Sequence, residues 1–479
     1  TASAQGADDR YQQLLDIIEQ QNQQIEDLKA RVDALEGDRA ATTQAEGGTP
    51  DTSRQTAQPT REPAPQPAAQ QPADSQQAKP ADPDGAIFSW GPSPTISSPD
   101  GRFEIRVRGR VLADFGYVDD NLDLQDRFAT ELRRARLGVQ GKAWKDIKYK
   151  LEVDFADEDV SANDIYLQYT GWDGLKLTVG YFKEQISLEE ITSSNQTSLM
   201  ERAAFTDAYS IGRRIGVGLN FSHGDFGGDL GVYSGADLDQ DRDNEGFALT
   251  ARAYFEPEFG NGGKLHAGGF IRYRDLDNSE AANRVRYRQR PFSHVSGLRY
   301  VNTDLLQNLN SDILAGAELA GTMGPFWAAA EYAWSRADVV SGFEPVYFGD
   351  GSINTSGGYF DIGWFITGES RPLGGGTFGR PKVTNPVFEG GSGAFALAAR
   401  VDYLDLTDRA AGVYGGEQIS YIVGLTWYLN RHVRVLLNYA HTDVTDGLCG
   451  AGCRFGDAVT DEFGKASIDA VTGRVQVDW

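Results

Sequence analysis

The chain has 479 residues, of which 40% are apolar and 11% aromatic, and its mean hydropathy is -0.44. No window approaches the ~18 uninterrupted apolar residues that a spanning helix needs, which excludes a helical transporter or channel. With 45 Lys and Arg against 69 Asp and Glu, a formal net charge of -24, binding to nucleic acid through a net basic field is excluded as well.

The opening Thr1-Ala2-Ser3-Ala4-Gln5 is a small-residue run of the kind found around export cleavage sites, so the chain is expected to be the mature form of an exported protein. Residues 8–37 predict one helix. Within it Leu14, Ile18, Gln21, Ile25, Leu28, Val32 and Leu35 alternate three and four apart, the seam of a coiled coil with Ile18, Ile25 and Val32 at a and the others at d. The pattern leans toward two strands, but Gln21 in the seam leaves the oligomer number open; an amphipathic helix lying on its own domain is the plainer alternative. Residues 38–100 are a linker and lead-in. Up to about Pro83 the linker is rich in Ala, Gln and Pro, a composition that buries too little surface to offset chain entropy.

From residue 101 to 479 the pattern becomes period-two alternation broken by Gly, Asp and Asn. In 103–117, Phe103, Ile105, Val107, Val111, Phe115 and Tyr117 share one face and Arg106, Arg108, Arg110 and Asp114 the other. In 419–430, Ile419, Tyr421, Val423, Leu425 and Trp427 oppose Ser420, Gly424, Thr426 and Tyr428. Soluble strands run about five or six residues, whereas many of these run to ten or more with aromatics near their ends, as lipid-facing strands with interfacial girdles do. The fold class is therefore an all-β transmembrane barrel of about 16 antiparallel strands, near 102–118, 130–142, 146–156, 162–170, 174–183, 211–222, 226–235, 246–256, 263–274, 312–321, 325–337, 357–368, 394–406, 417–429, 431–444 and 465–479. An even count puts both barrel ends on one side, the periplasm if the coiled coil lies there. Most tight connections follow even strands; 369–393 is a long exception.

With the apolar faces toward lipid and lipopolysaccharide, the opposite faces line the lumen. That places Arg106, Arg108, Arg110, Arg134, Arg136, Lys148, Lys150, Arg214, Arg252, Arg272 and Arg274 inward, a cationic path in an acidic protein. Arg284, Arg286, Arg288 and Arg290 recur at every second residue, which in an extended segment sets guanidiniums on one side about 6.5 to 7 Å apart. Arginine stays charged and offers forked donors to oxyanions; the plainer reading of the row is a solvated or lipopolysaccharide-facing loop. Lumenal acids, Glu104, Glu152, Asp154, Asp164, Asp361 and Asp402, compete, and opposed rows would make a general, weakly selective porin. Cys449 and Cys453 read either as a small loop disulfide or as two free thiols, and are too few for a closed zinc site. The five scattered histidines form no nucleophile motif, so an enzyme is not expected, nor is any cofactor or metal.

Residues Thr178-Val179-Gly180-Tyr181-Phe182-Lys183, Leu199-Met200-Glu201-Arg202-Ala203, Ile211-Gly212-Arg213-Arg214, Arg133-Arg134-Ala135-Arg136-Leu137-Gly138, Gly363-Trp364-Phe365-Ile366-Thr367-Gly368-Glu369-Ser370-Arg371-Pro372 and Gly473-Arg474-Val475-Gln476-Val477-Asp478-Trp479 resemble the phosphate-selective porin O and P family over about 100–479. The resemblance implies a homotrimeric, sixteen-stranded outer-membrane porin with the third loop, here 184–210, folded inward as a constriction. It also implies an arginine ladder including Arg284, Arg286, Arg288 and Arg290, and a basic throat for which Lys183 and Arg213 are candidates. The chain departs from that pattern in 184–210, where Glu184, Glu189, Glu190, Glu201 and Asp207 face Arg202 alone. The expected function is passive diffusion of small anions, phosphate or related oxyanions. A general porin, or an outer-membrane tether contacting the cell wall through the coiled coil, is the alternative.

Overall fold

The computed structural model describes residues 85–124, 126–156, 160–235, 246–260, 262–276, 285–306, 308–340, 351–447 and 464–479. All of them belong to the second of two units, Ala78–Trp479. The coiled-coil seam, the linker up to residue 84, Arg284 and both cysteines lie outside the described residues.

Sixteen strands close into a barrel. They are β1 (Glu104–Asp120), β2 (Asp126–Ala143), β3 (Ile147–Asp154), β4 (Ser161–Trp172), β5 (Leu175–Lys183), β6 (Arg213–His223), β7 (Phe226–Ser234), β8 (Phe247–Phe255), β9 (Gly263–Asp275), β10 (Leu309–Met323), β11 (Phe326–Val339), β12 (Ser352–Phe365), β13 (Ala394–Asp408), β14 (Val413–Tyr428), β15 (Val433–Gly447) and β16 (Ala466–Asp478). Each pairs antiparallel with its sequence neighbour, and β16 returns to β1 from Ile468↔Asp120 to Asp478↔Arg110, so no wall strand is left with a free edge. Where β16 ends, Thr95–Ser97 continues the sheet by pairing with the start of β1. Each predicted strand overlaps one of these. The boundaries differ mainly at the long-loop end, where β2 begins at Asp126 rather than 130 because a strand there keeps its partner beyond the apolar band.

Alternation sets the sides. Val111, Phe115, Leu151, Val179, Ile215, Val423 and Val475 are exposed on the outside, while Arg110, Asp114, Arg252, Arg272, Arg400 and Arg474 are buried inside. At the short-turn end, outward aromatics pair across strands: Phe226 with Phe255 at 4.6 Å, Phe395 stacked on Trp427 at 5.8 Å and Phe326 on Trp364 at 6.1 Å, a girdle suited to a membrane interface. Tight turns there need a left-handed residue, supplied by Gly174 (φ +66°) and Gly324 (φ +56°). Gly109 has another role. A Cβ at this position would sit 2.1 Å from the Trp479 ring, and the two residues exchange backbone hydrogen bonds at 3.0 and 3.3 Å, fastening the seam.

Two segments enter the barrel from opposite ends. From the long-loop end, the 184–212 connection crosses the lumen, carrying helix α1 (Leu188–Ile191) and helix α2 (Ala204–Ala208), with Ile186, Leu188, Ala203, Ala204 and Phe205 fully buried. From the short-turn end, the long connection 366–393 turns inward through a Leu373↔Phe378 bridge and buries Arg371 and Phe378. Its length is thus explained: it is a filling for the lumen rather than a turn.

Candidate functional site: a cationic path beside an infolded loop

The infolded loop is held against one wall by carboxylates. Glu331 on β11 accepts the backbone N–H groups of Leu188 (3.0 Å) and Glu189 (2.6 Å), capping the start of α1. Asp402 on β13 accepts Ala204 N at the start of α2 (3.2 Å), and Asp361 on β12 accepts Ser198 Oγ (3.0 Å). Arg400 bridges Glu189 (2.9 Å) and Asp361 (3.1 Å), and Arg434 donates to the carbonyls of Ser194 and Thr197, each at 2.9 Å. The lower segment locks onto the same loop. Arg371 donates to Gln196 O (2.9 Å) while lying 3.7 Å over the Phe378 ring, and Phe378 N donates to Thr192 Oγ1 (3.3 Å).

Two open chambers of about 430 and 690 Å³ lie along β1–β7, the first also bounded by residues 289–294 and by Arg474 of β16. The outer one, toward the long loops, is lined by Arg133, Arg134, Glu201, Asp207, Arg214, Gln289, Arg290, His294 and Arg474 among others. The inner one, toward the short turns, includes Arg108, Arg110, Arg136, Lys150, Asp164, Lys176, Lys183 and Asp229. They meet at a rim common to both: Arg134, Glu190, Ser194, Arg202, Ile211, Gly212 and Arg213. Thirteen Arg and Lys side chains against five Asp and Glu line the two chambers together, a formal excess of eight positive charges.

The competing acids do not form an opposed row. Glu152, 1% exposed, lies beneath four cations: Arg108 (3.2 Å), Arg110 (3.5 Å), Arg136 (3.6 Å) and Lys150 (3.7 Å). Asp154 pairs with Arg136 (2.6 Å), and Asp164 with Arg213 (2.7 Å) and Lys150. Glu104 stays with Arg106 (3.4 Å). On the loop, Glu190 joins Lys183 (2.8 Å) and Arg202 (3.1 Å); burial pushes its carboxyl up, but Arg202 and Lys183 outweigh that and hold it below the usual range. Glu201 follows the same logic. Burial opposes its charge, yet Arg133, Arg474, His294 and Arg134 hold it down at about 2.

Of the residues predicted for the path, Arg108, Arg110, Arg134, Arg136, Lys150, Lys183, Arg213, Arg214 and Arg290 line the chambers. Arg286 and Arg290 are half-buried and Arg288 exposed, alternating with buried Tyr287 and Gln289. Arg252, Arg272 and Arg274 face inward but reach neither chamber. Arg252 is sequestered by Glu318 (2.7 Å), Arg272 by Glu184 (3.2 Å), which it shares with Arg214 (3.1 Å), and Arg274 by Asp312 (Nε to Oδ1, 2.8 Å), because the two entering segments cover that wall and a guanidinium shut away from water needs a carboxylate beside it. Arg106 and Lys148 stand at the short-turn mouth, outside both chambers. Two lining cations escaped sequence reading. Arg133 is the extra residue of a bulge opposite Leu112 and Ala113, which turns it inward beside Arg134 although strict alternation puts it outside. Arg202 was read only as the lone cation of an acidic loop, whereas it reaches the rim by donating to the carbonyls of Glu189 (3.0 Å) and Glu190 (3.1 Å).

Comparison with known proteins gives a family and relatives. The family model for phosphate-selective porin O and P matches residues 105–448. An uncharacterized protein of Caulobacter vibrioides is 35% identical over 378 residues, covering 76% of this chain and 73% of its own. Porin O of Pseudomonas aeruginosa is 27% identical over 388 residues, covering 73% and 85%. Among solved structures, an anion-selective porin from Comamonas acidovorans aligns with a TM-score of 0.49 at 11% identity, covering 79% of this chain and all of that one (100%).

Proposed function

The chain belongs to the phosphate-selective porin O and P family, an outer-membrane channel rather than an enzyme, and from that premise we propose that it admits small anions, phosphate or related oxyanions, by passive diffusion through the two chambers. The observation that carries this reading is the rim they share. Arg134, Arg202 and Arg213 stand there against Glu190 alone, and Arg134 has no carboxylate partner among the described residues. In a water-filled passage walled by low dielectric, fixed positive charge raises the local concentration of anions and repels cations.

The rim is the selectivity throat on this reading, with the exposed Arg288 and the lining Arg290 feeding it from outside and Lys176 and Arg108 drawing anions on toward the short turns. Guanidiniums spaced along the path hand an oxyanion from one donor fork to the next. The barrel sits in the outer membrane as a homotrimer, long loops and outward rim toward lipopolysaccharide, short turns and the N-terminal coiled coil toward the periplasm. Purified protein in a planar bilayer under a KCl gradient tests the central claim. A zero-current potential of anion-selective sign is expected, and cation selectivity rejects it. Removing residues 1–40 tests the assembly: loss of the trimer is expected, and an unchanged oligomer shows that barrel contacts suffice.

A further inference from the structure

Resting on the anion path above, we infer that the outer chamber is a binding site for small organic anions that carry hydroxyl groups. Inorganic oxyanions are bound mainly through donors, and the chamber offers more than donors. Arg133, Arg134 and Arg290 each present a guanidinium to it, with the Nε of all three buried and without a hydrogen-bond partner among the described residues, although Arg133 Nε lies 3.9 Å from Glu131. Beside them stand acceptors, more of them than the one or two P–OH protons of inorganic phosphate can satisfy at once. Gln289 Oε1 is a buried acceptor with no hydrogen-bond partner among the described residues, and so is Ser293 Oγ; the two residues are 4% and 1% exposed and both line the chamber. Asp207, its carboxylate half-exposed and paired with Arg299 on one oxygen (2.9 Å), adds a charged acceptor that a hydroxyl satisfies.

Size and shape agree with an organic ligand. At about 430 Å³ the chamber falls within the range of small-molecule sites. One side is apolar, formed by Phe292, which a left-handed backbone (φ +51°) holds in a conformation that bulky residues rarely adopt. The anionic group would lie on the arginines, the hydroxyls on Gln289, Ser293 and Asp207, and the carbon skeleton against Phe292. The charged head can be a phosphate or a carboxylate, since both fit a guanidinium fork.

Block of the chloride current in the planar bilayer distinguishes these sources. Probes added on the long-loop side are glucose 6-phosphate, gluconate, inorganic phosphate and glucose. Wild-type protein is expected to be blocked by glucose 6-phosphate at a concentration at least about fivefold lower than by inorganic phosphate, the equivalent of one hydrogen bond gained, and least by glucose. Block by gluconate as strong as that by glucose 6-phosphate assigns the site to either head group; block by glucose 6-phosphate alone assigns it to phosphate esters. Gln289→Leu, and separately Ser293→Ala, should each move the ratio of the two affinities about fivefold toward inorganic phosphate. Equal block by inorganic phosphate and glucose 6-phosphate in the wild type, or variants that weaken both alike, overturns the inference and leaves anion permeation standing. A cation-selective channel removes the reading beneath it.

Discussion

On the wall formed by β1–β7, a single buried carboxylate, Glu152, is shared by Arg108, Arg110, Arg136 and Lys150, and the cations keep an aqueous side. On the opposite wall, β8–β16, Arg252 is matched to Glu318, Arg274 to Asp312 and Arg400 to Glu189 and Asp361, and all three are buried. Both walls put arginines at inward positions of the same strand pattern. The difference lies in what covers them. The infolded loop and the 366–393 segment rest on β8–β16, and once water is excluded an unmatched guanidinium costs several kcal/mol, about what a broken buried pair costs. An inward arginine therefore faces an open chamber on one wall and is a structural bolt on the other.

The largest expected effect follows from breaking a bolt. Arg400→Ala leaves Glu189 and Asp361 buried without their partner and should cost about 3–5 kcal/mol, seen as a lower urea midpoint of the purified barrel and as release of the infolded loop. Lys176→Gln, on the exposed floor of the inner chamber, should stay within about 0.5 kcal/mol of wild type. Equal destabilisation by the two would erase the distinction between the walls.

The seam that joins the two walls, β1 to β16, comes next. Gly109→Val places carbon atoms where the Trp479 ring lies, and overpacking of this kind costs about 1–3 kcal/mol. Heat-modifiable migration on gels should show a larger unfolded fraction, and a return to wild-type behaviour on adding Trp479→Ala would identify the ring as the clash.

How much of this was legible follows from the same contrast. Alternation over Phe103–Tyr117 or Ile419–Leu429 fixed sidedness strand by strand, because lipid on one face and interior on the other admit only period two. The inward direction of Arg252, Arg272 and Arg274 was legible; their burial was not, since covering depends on segments distant in the chain. Arg252 meets Gly376, 124 residues away. Arg133 failed for a local reason. Its bulge carries no Gly or Pro to announce an extra residue, so the Arg133-Arg134 pair read as one in and one out. The connection 366–393 looked anomalous as a turn and makes sense only as a filling, with Arg371 clamped between Phe378 and the carbonyl of Gln196.

Acid should loosen the loop where the open path meets it. Glu201 is held down at about 2 by surrounding arginines despite its burial, so its contribution to docking is complete above the ordinary glutamate range, near pH 4.5, and is lost as pH falls from there toward 2. Urea midpoints measured between pH 6 and pH 2 should fall through that window, and less so in Glu201→Gln. A midpoint flat to pH 2 in the wild type would show that Arg474, bonded to Asp114 at 2.6 Å, holds the wall without help from the loop carboxylate.

The smallest effect separates the walls by permeation alone. Arg134→Gln removes one charge from the rim. At a distance of about 7 Å from a passing ion that charge is worth about 0.6 kcal/mol even at the dielectric of bulk water, close to threefold for an anion and, because a cation feels the opposite sign, about sevenfold in the anion-to-cation permeability ratio, and more in a throat that water only partly fills. Arg272→Gln makes the same change of charge on the covered wall, where Arg272 is buried, pairs at 3.2 Å with the Glu184 that also holds Arg214, and lines neither chamber. Zero-current potentials in a KCl gradient should move toward zero for the first and stay at the wild-type value for the second. Equal shifts would mean that anions sense the summed charge of the barrel rather than the charges they pass, and the covered wall would then belong to the path after all.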